Sequence, residues 1–143
     1  MRGIEPPATF GEVLAASEKL RAAGVMEAPF ASDYLPGWGL AAEFVNAYLA
    51  TGGDFFEPGT ANLAIEGEAG LETLAHMKSL TEYMRSDFIT DDASTIMPLW
   101  KEGELAMMYA WASRSSELLD PASSATADLT SITAMPALSE VGG

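Results

Sequence analysis

GELAMMYAWASR, Gly103 to Arg114, is the stretch whose reading decides how this chain folds. Its residues Leu105 to Ala112 pass without a charge, and Trp111 is followed three positions later by Arg114. Leu, Ala and Met are strong helix formers, so propensity argues for a helix. Position argues for a strand. Gly103 closes whatever precedes it, and the apolar run has no helical period, as suits a strand buried on both faces. Pattern alone leaves both open. The Trp–Arg end is equally divided: Trp111 beside apolar neighbours reads as core or as a ligand platform, and Arg114 can pair with Glu117 one helical step away.

The surroundings point to alternating helices and short strands. Thr9 followed by Glu12 has capping-box spacing, and Val13, Leu14, Ser17 and Leu20 share a face. A helix is therefore expected from Phe10 to Ala23, with Gly24 as its stop. VMEAPF (25–30) suits a short strand limited by Pro29. SDYLPGWG (32–39) is loop chemistry. Leu40, Phe44 and Tyr48, with Ala41 and Ala47, predict a second helix ended by Gly52 and Gly53. Pro58-Gly59 marks a turn between short extended pieces. Leu71, Leu74, Met77, Leu80 and Met84 predict the face of a third helix. A fourth should lead to Trp100, assigned to core, and stop at Gly103. Pro98 disturbs its interior, so a late start capped by Thr95 is expected, with a kink as the alternative. DPASSATADLT (120–130) reads as a loop and SITAMP (131–136) as another short strand. The fold class is α/β.

Composition narrows the function. The chain has 143 residues, enough for one domain with a real core. Its 21 acidic and 7 basic side chains give a formal charge of -14, which argues against nucleic acid and anionic membrane surfaces as partners. Cysteine is absent, which removes disulfides and thiolate metal sites. The apolar run at Leu105 is far shorter than the roughly 20 residues of a membrane span, so no membrane insertion is expected.

Catalytic readings find little support. The one histidine, His76, lies inside the third helix, where a surface or packing role is expected rather than a metal site. Asp87, Asp91 and Asp92 lack the spacing of a calcium loop and suit a solvated loop and helix cap. No G-x-S-x-G elbow and no phosphate-binding glycine loop is present. No feature selects two of the many carboxylates for glycoside hydrolysis. No enzyme activity, metal or cofactor is expected. For binding, Trp38 in its glycine-rich loop and Trp111 near Arg114 are parts suited to stacking on a sugar ring while planar polar groups meet its hydroxyls.

The order of the signals carries a resemblance. Pro6, Pro7, Thr9, Phe10, Glu12 and Gly24 in EPPATFGEVLAASEKLRAAGV come first. Gly52, Gly53, Asp54 and Phe55 follow, then AGLETLAHMKSL (69–80), LWKEGELAMMYAW (99–111), DPASS (120–124) and SITAMPAL (131–138). In this order they resemble the C-terminal lobe of bacterial extracellular solute-binding proteins of family 1, the maltose-binding-protein-like carbohydrate receptors of ABC importers. The resemblance is strongest for receptors whose strand runs into a Trp-x-Ser-Arg end, here Trp111, Ser113 and Arg114.

The resemblance implies a type II periplasmic-binding-protein-like lobe, with helices packed on a short, incomplete β-sheet. Residues 1–143 would form a single partial domain, without the first lobe and the last part of the second. Trp38 and Trp111 would be stacking platforms, and Glu43, Asp92 and Arg114 the hydroxyl-binding groups. The ligand would be a mono- or oligosaccharide, held weakly or not at all by half a cleft, and the parent protein would meet ABC permease subunits. The parent would be periplasmic or extracellular, with a lipid anchor as an option, although MRGIEPPATF (1–10) has no secretion signal. Self-association through exposed edges is a further expectation. The rival reading is a small standalone acidic domain for protein–protein contact.

Overall fold

Thr9 opens the first helix as its spacing predicts, in a computed structural model that describes residues 5–138. Its hydroxyl accepts from the Glu12 N–H at 3.2 Å, while Glu12 Oε2 accepts from the Thr9 N–H at 3.1 Å. Two N–H groups at the helix start are thereby satisfied, an arrangement worth about 1 kcal/mol. The helices are α1 (Phe10–Ala22), α2 (Trp38–Ala50), α3 (Glu68–Leu80), α4 (Ala93–Lys101) and the single turn α5 (Ser115–Leu118). Two strands, β1 (Phe30–Ala31) and β2 (Met107–Met108), pair in parallel with Phe30 opposite Met107 and Ala31 opposite Met108. The α/β class and the short sheet are as expected. MRGI, the first part of the leader reading, lies outside the described residues.

The two strands separate two sets of helices. Phe30 packs with Val13 of α1, Met77 and Leu80 of α3, and Tyr34 and Met84, and Phe44 of α2 and Met107 join this cluster. Ala31 faces the other way, onto Ile96 of α4 and Leu105, with Leu99, Trp100 and Met108 around them. The alternation of neighbouring side chains across a strand thus gives each face its own core. Packing on both faces overrides the helix propensity of Leu105 to Ala110. The N–H groups of Ala106 and Met107 both donate to the Pro29 carbonyl at 3.0 Å. Only Met107 and Met108 form regular ladder, so the strand is shorter than the apolar run.

Several local readings need correction. The third helix does not bury Leu71 and Leu74, which are 66% and 54% exposed. It buries Gly70, Thr73 and His76 in their place, together with Met77 and Leu80 as expected. Gly70 sets this rotation: a Cβ there would lie 1.9 Å from the Ile65 carbonyl oxygen, so only glycine lets the helix sit so close. Met84 is buried beyond the helix end. The fourth helix starts early, capped by Asp92 rather than Thr95, and Pro98 sits in its interior. Pro98 and Ser94 are both exposed, so the carbonyl that Pro98 leaves without a donor lies on the water side. Trp100 is half-buried rather than core, with Nε1 donating to Thr130 Oγ1 at 3.0 Å. Val25 to Pro29 stay outside β1, and SITAMP forms no strand. The chain there meets the rest through one parallel bridge, Thr9 with Ala137, where the Phe10 N–H donates to Ala137 O at 2.8 Å.

Candidate functional site

The carboxyl ends of both strands open on the same side. β1 runs into Ser32 and Asp33, and β2 runs into Tyr109, Ala110 and Trp111. Two helix starts, Trp38 of α2 and Ala93 of α4, meet them there. The result is an open groove of about 480 Å³ lined by Trp38, Ala93, Trp111, Ser113 and Arg114. Three of the five sequence-predicted residues, Trp38, Trp111 and Arg114, therefore converge. A second hollow of about 370 Å³ lies at the opposite, amino end of the strands, lined by Val25, Met26, Glu27 and Leu105 among others.

Each groove residue is placed for a local reason. Gly37 has φ +119°, and that conformation turns the chain so that Trp38 becomes the first residue of α2 rather than a loop residue. Trp38 is 80% exposed. Trp111 ends the extended run at φ -66°, ψ 134°, before a short turn at Ala112–Arg114, and is 38% exposed. The Arg114 guanidinium lies 3.9 Å from Glu117, which also holds Lys101. That exposed pair is long and weak, so the guanidinium keeps donors free for another partner.

Asp92 stands next to Ala93 at the groove but is committed to capping. Its Oδ1 accepts from the N–H groups of Ser94 and Thr95 at 2.8 and 3.0 Å, and from their hydroxyls at 2.6 and 2.8 Å. These donors, the Ser94 hydroxyl first, favour the charged carboxylate and pull its pKa down to about 2.

Glu43 is not on the groove surface. It is a buried residue of α2, only 4% exposed. Burial, with the nearby Asp33 charge adding to it, pushes its carboxyl up to about 7. The Ser32 hydroxyl holds that rise back in part, yet Ser32 Oγ makes no hydrogen bond of normal geometry.

Asp33 is the residue that sequence reasoning missed. Burial raises it first and Asp92 second, while the backbone N–H groups of Leu35 and Ala93 act against the rise. Its Oδ1 is shielded from water and has no hydrogen-bond partner. A side chain at Gly39 would fall 2.0 Å from that oxygen, so glycine clears the space the carboxylate occupies. The only sequence signal was its place in SDYLPGWG, directly after a short strand, and loop chemistry concealed it.

Among the described residues, no group of three or more His, Asp or Glu side chains is placed to hold a metal ion. No helix among the described residues is long and apolar enough to cross a membrane.

An ABC transporter solute-binding protein from Agrobacterium radiobacter K84, solved in complex with ribitol, is similar to this chain with a TM-score of 0.81 and 22% sequence identity. The match covers 96% of this chain and 35% of that one. This chain therefore has the fold of part of a solute-binding protein, and the similar structure is a transport component rather than an enzyme. No protein-family model matches the sequence, and no curated protein matches it either.

Proposed function

We propose that this chain is part of the C-terminal lobe of an extracytoplasmic receptor for an ABC importer, and that it binds a sugar or polyol in the groove between α2 and α4. The observation that carries this reading is the convergence of Trp38, Trp111 and Arg114 on one groove at the carboxyl ends of the strands. Ligands of open α/β sheets bind at that end. Indole faces suit the apolar face of a polyhydroxylated ligand, and a guanidinium donates to its hydroxyls. Asp92 would offer Oδ2, because Oδ1 is occupied. Glu43, being buried, would act through the packing of α2 rather than by touching the ligand.

The finer reading, a maltose-binding-protein-like receptor of family 1, rests on the order of sequence signals from Pro6 to Leu138. On this reading residues 1–143 are one partial domain. A complementary lobe would close the groove, permease subunits would receive the closed form, and the parent would work in the periplasm or outside the cell. Half a cleft leaves many ligand hydroxyls in water, so affinity of this chain alone should be weak. Tryptophan fluorescence with a panel of polyols and sugars, ribitol first, tests the proposal. Quenching that saturates and is lost in Trp111→Ala is expected. A panel that leaves emission unchanged would overturn it.

Leu71 and Leu74, exposed on α3, favour a second reading in which the chain docks on another protein. Leu71→Asp should then abolish self-association or partner capture while leaving the groove untouched.

A further inference from the structure

The residues that line the groove, Trp38, Ala93, Trp111, Ser113 and Arg114, include a cation and no acid. That composition runs against the chain as a whole, which has 21 acidic and 7 basic side chains. The Arg114 side chain is half exposed, and the Glu117 carboxylate stands 3.9 Å from it, beyond hydrogen-bond distance. The N–H donors of the guanidinium therefore stay available to a molecule in the groove.

Glu117 is committed elsewhere. Its Oε1 takes the Lys101 ammonium from the end of α4, and its Oε2 is the oxygen turned to Arg114. The Lys101 hydrogen bond is the first cause that holds Glu117 below the ordinary carboxylate range, and the Arg114 charge is the last. Two cations thus share one carboxylate, which leaves a surplus positive charge beside the groove. Asp92, next to groove-lining Ala93, acts against this surplus. Its Oδ1 is shared among the cap donors at the positive start of α4, which offsets part of its charge. The formal charge of -14 opposes an anion at long range, but salt at about 0.15 M screens it beyond roughly 8 Å.

We propose that the groove takes a polyhydroxylated ligand bearing a carboxylate, a sugar acid, which Arg114 binds while Lys101 keeps Glu117 from claiming Arg114. This rests on the reading of the groove as a sugar or polyol site and adds the ligand's charge to it. A neutral hydroxyl leaves the surplus positive charge in place. A carboxylate matches the guanidinium fork with two parallel charge-assisted bonds and neutralises it. A phosphate brings a second charge, for which no further cation lines the groove. Lys101 touches no ligand on this account and is a positioning residue.

Matched titrations of ribitol with ribonate, and of glucose with glucuronate, test this through tryptophan fluorescence of the full chain at pH 7. The acid of a pair should bind about fivefold more tightly than its neutral partner at about 0.15 M salt, the upper range for a solvent-exposed ion pair. That ratio should fall towards one as salt rises to about 1 M. Arg114→Gln should bring the ratio close to one at every salt concentration. Lys101→Met frees Glu117 to pair with Arg114 and should lower the ratio, whereas Glu117→Gln should raise it. A purely structural effect would change both affinities alike and leave the ratio where it was. Circular dichroism melts confirm that each variant is folded. Equal affinities within each pair, or an advantage of the acid that survives Arg114→Gln, overturn the inference while leaving the polyol reading in place. A ratio unmoved by Lys101→Met overturns the positioning role. Absence of binding by all four compounds overturns both the inference and the polyol reading.

Discussion

His76 of α3 lies flat against Phe10 of α1, with ring centroids 3.8 Å apart and planes 4° from parallel, and its Nε2 is 3.2 Å from the Tyr109 hydroxyl. One side chain thereby joins two helices to the end of β2. Burial lowers its basicity to about 4, because a charged ring would lose its water. Below pH 6.5 the unfolded chain takes up a proton that the folded chain refuses. Stability from this residue is complete above that pH and declines towards pH 4. As the only histidine in the sequence, it gives a single ring signal by NMR. Its midpoint should lie well below 6.5, and a midpoint near 6.5 would contradict the packing.

Glu43 works in the opposite sense. The folded chain keeps its proton up to about pH 7, whereas the unfolded chain releases it near 4.5. Its burial therefore costs stability progressively as pH rises through that window. Glu43→Gln should melt higher than wild type at pH 8, and the gap should close by pH 4.5. A constant gap between melts at the two pH values would count against the assignment.

Gly39→Ala should disturb the packing of Asp33 against the start of α2. The added carbon would sit 2.0 Å from Asp33 Oδ1, so the carboxylate must move. A loss of about 1–3 kcal/mol is expected from urea melts, in the usual range for forced overpacking. Gly11→Ala, where nothing lies within 4 Å, should be neutral or slightly stabilising in the same experiment.

Asp92→Ala removes the α4 cap and its four donors' shared acceptor. A lower melting temperature than wild type is expected at neutral pH. Asp92 is held at about 2, so its stabilising effect is present above 3.8 and fades as pH falls towards 2. The variant and wild type should therefore approach each other in melts at the acid end. A difference that stays the same down to pH 2 would assign the effect to something other than the charged cap.

The sequence carried the architecture wherever one local rule governed. Thr9 and Glu12 cap α1 as their spacing requires. No local rule settled Leu105 to Ala110: propensity favoured a helix, and packing on both faces gives a two-residue strand at Met107–Met108, followed by a partly exposed Trp111 and Arg114. Sequence reading failed where tertiary contact decided the matter. Gly70 packs on Ile65 and turns Leu71 and Leu74 outward, which no count of apolar positions reveals. Thr95 looked like a cap because Pro98 implied a late start, yet Asp92 supplies a better acceptor and an exposed proline is tolerated. At the site, Trp38, Trp111 and Arg114 were legible as chemistry, but their meeting was not. Asp33 was invisible for the same reason: Ala93, whose N–H acts on it, is remote in sequence until the chain folds, and the close approach of Gly39 to its carboxylate is a packing fact that SDYLPGWG does not display.

The most direct test uses the three tryptophans as separate reporters. Trp38 and Trp111 line the groove, whereas the Trp100 indole N–H is engaged by Thr130. In a proton–nitrogen NMR titration with ribitol, the indole signals of Trp38 and Trp111 should shift together and saturate at one concentration, with Trp100 unmoved. Assignment by Trp→Phe variants identifies each signal. Shifts confined to Trp100, or no saturable shift at Trp38 and Trp111 with any polyol or sugar, would contradict the groove as the binding site.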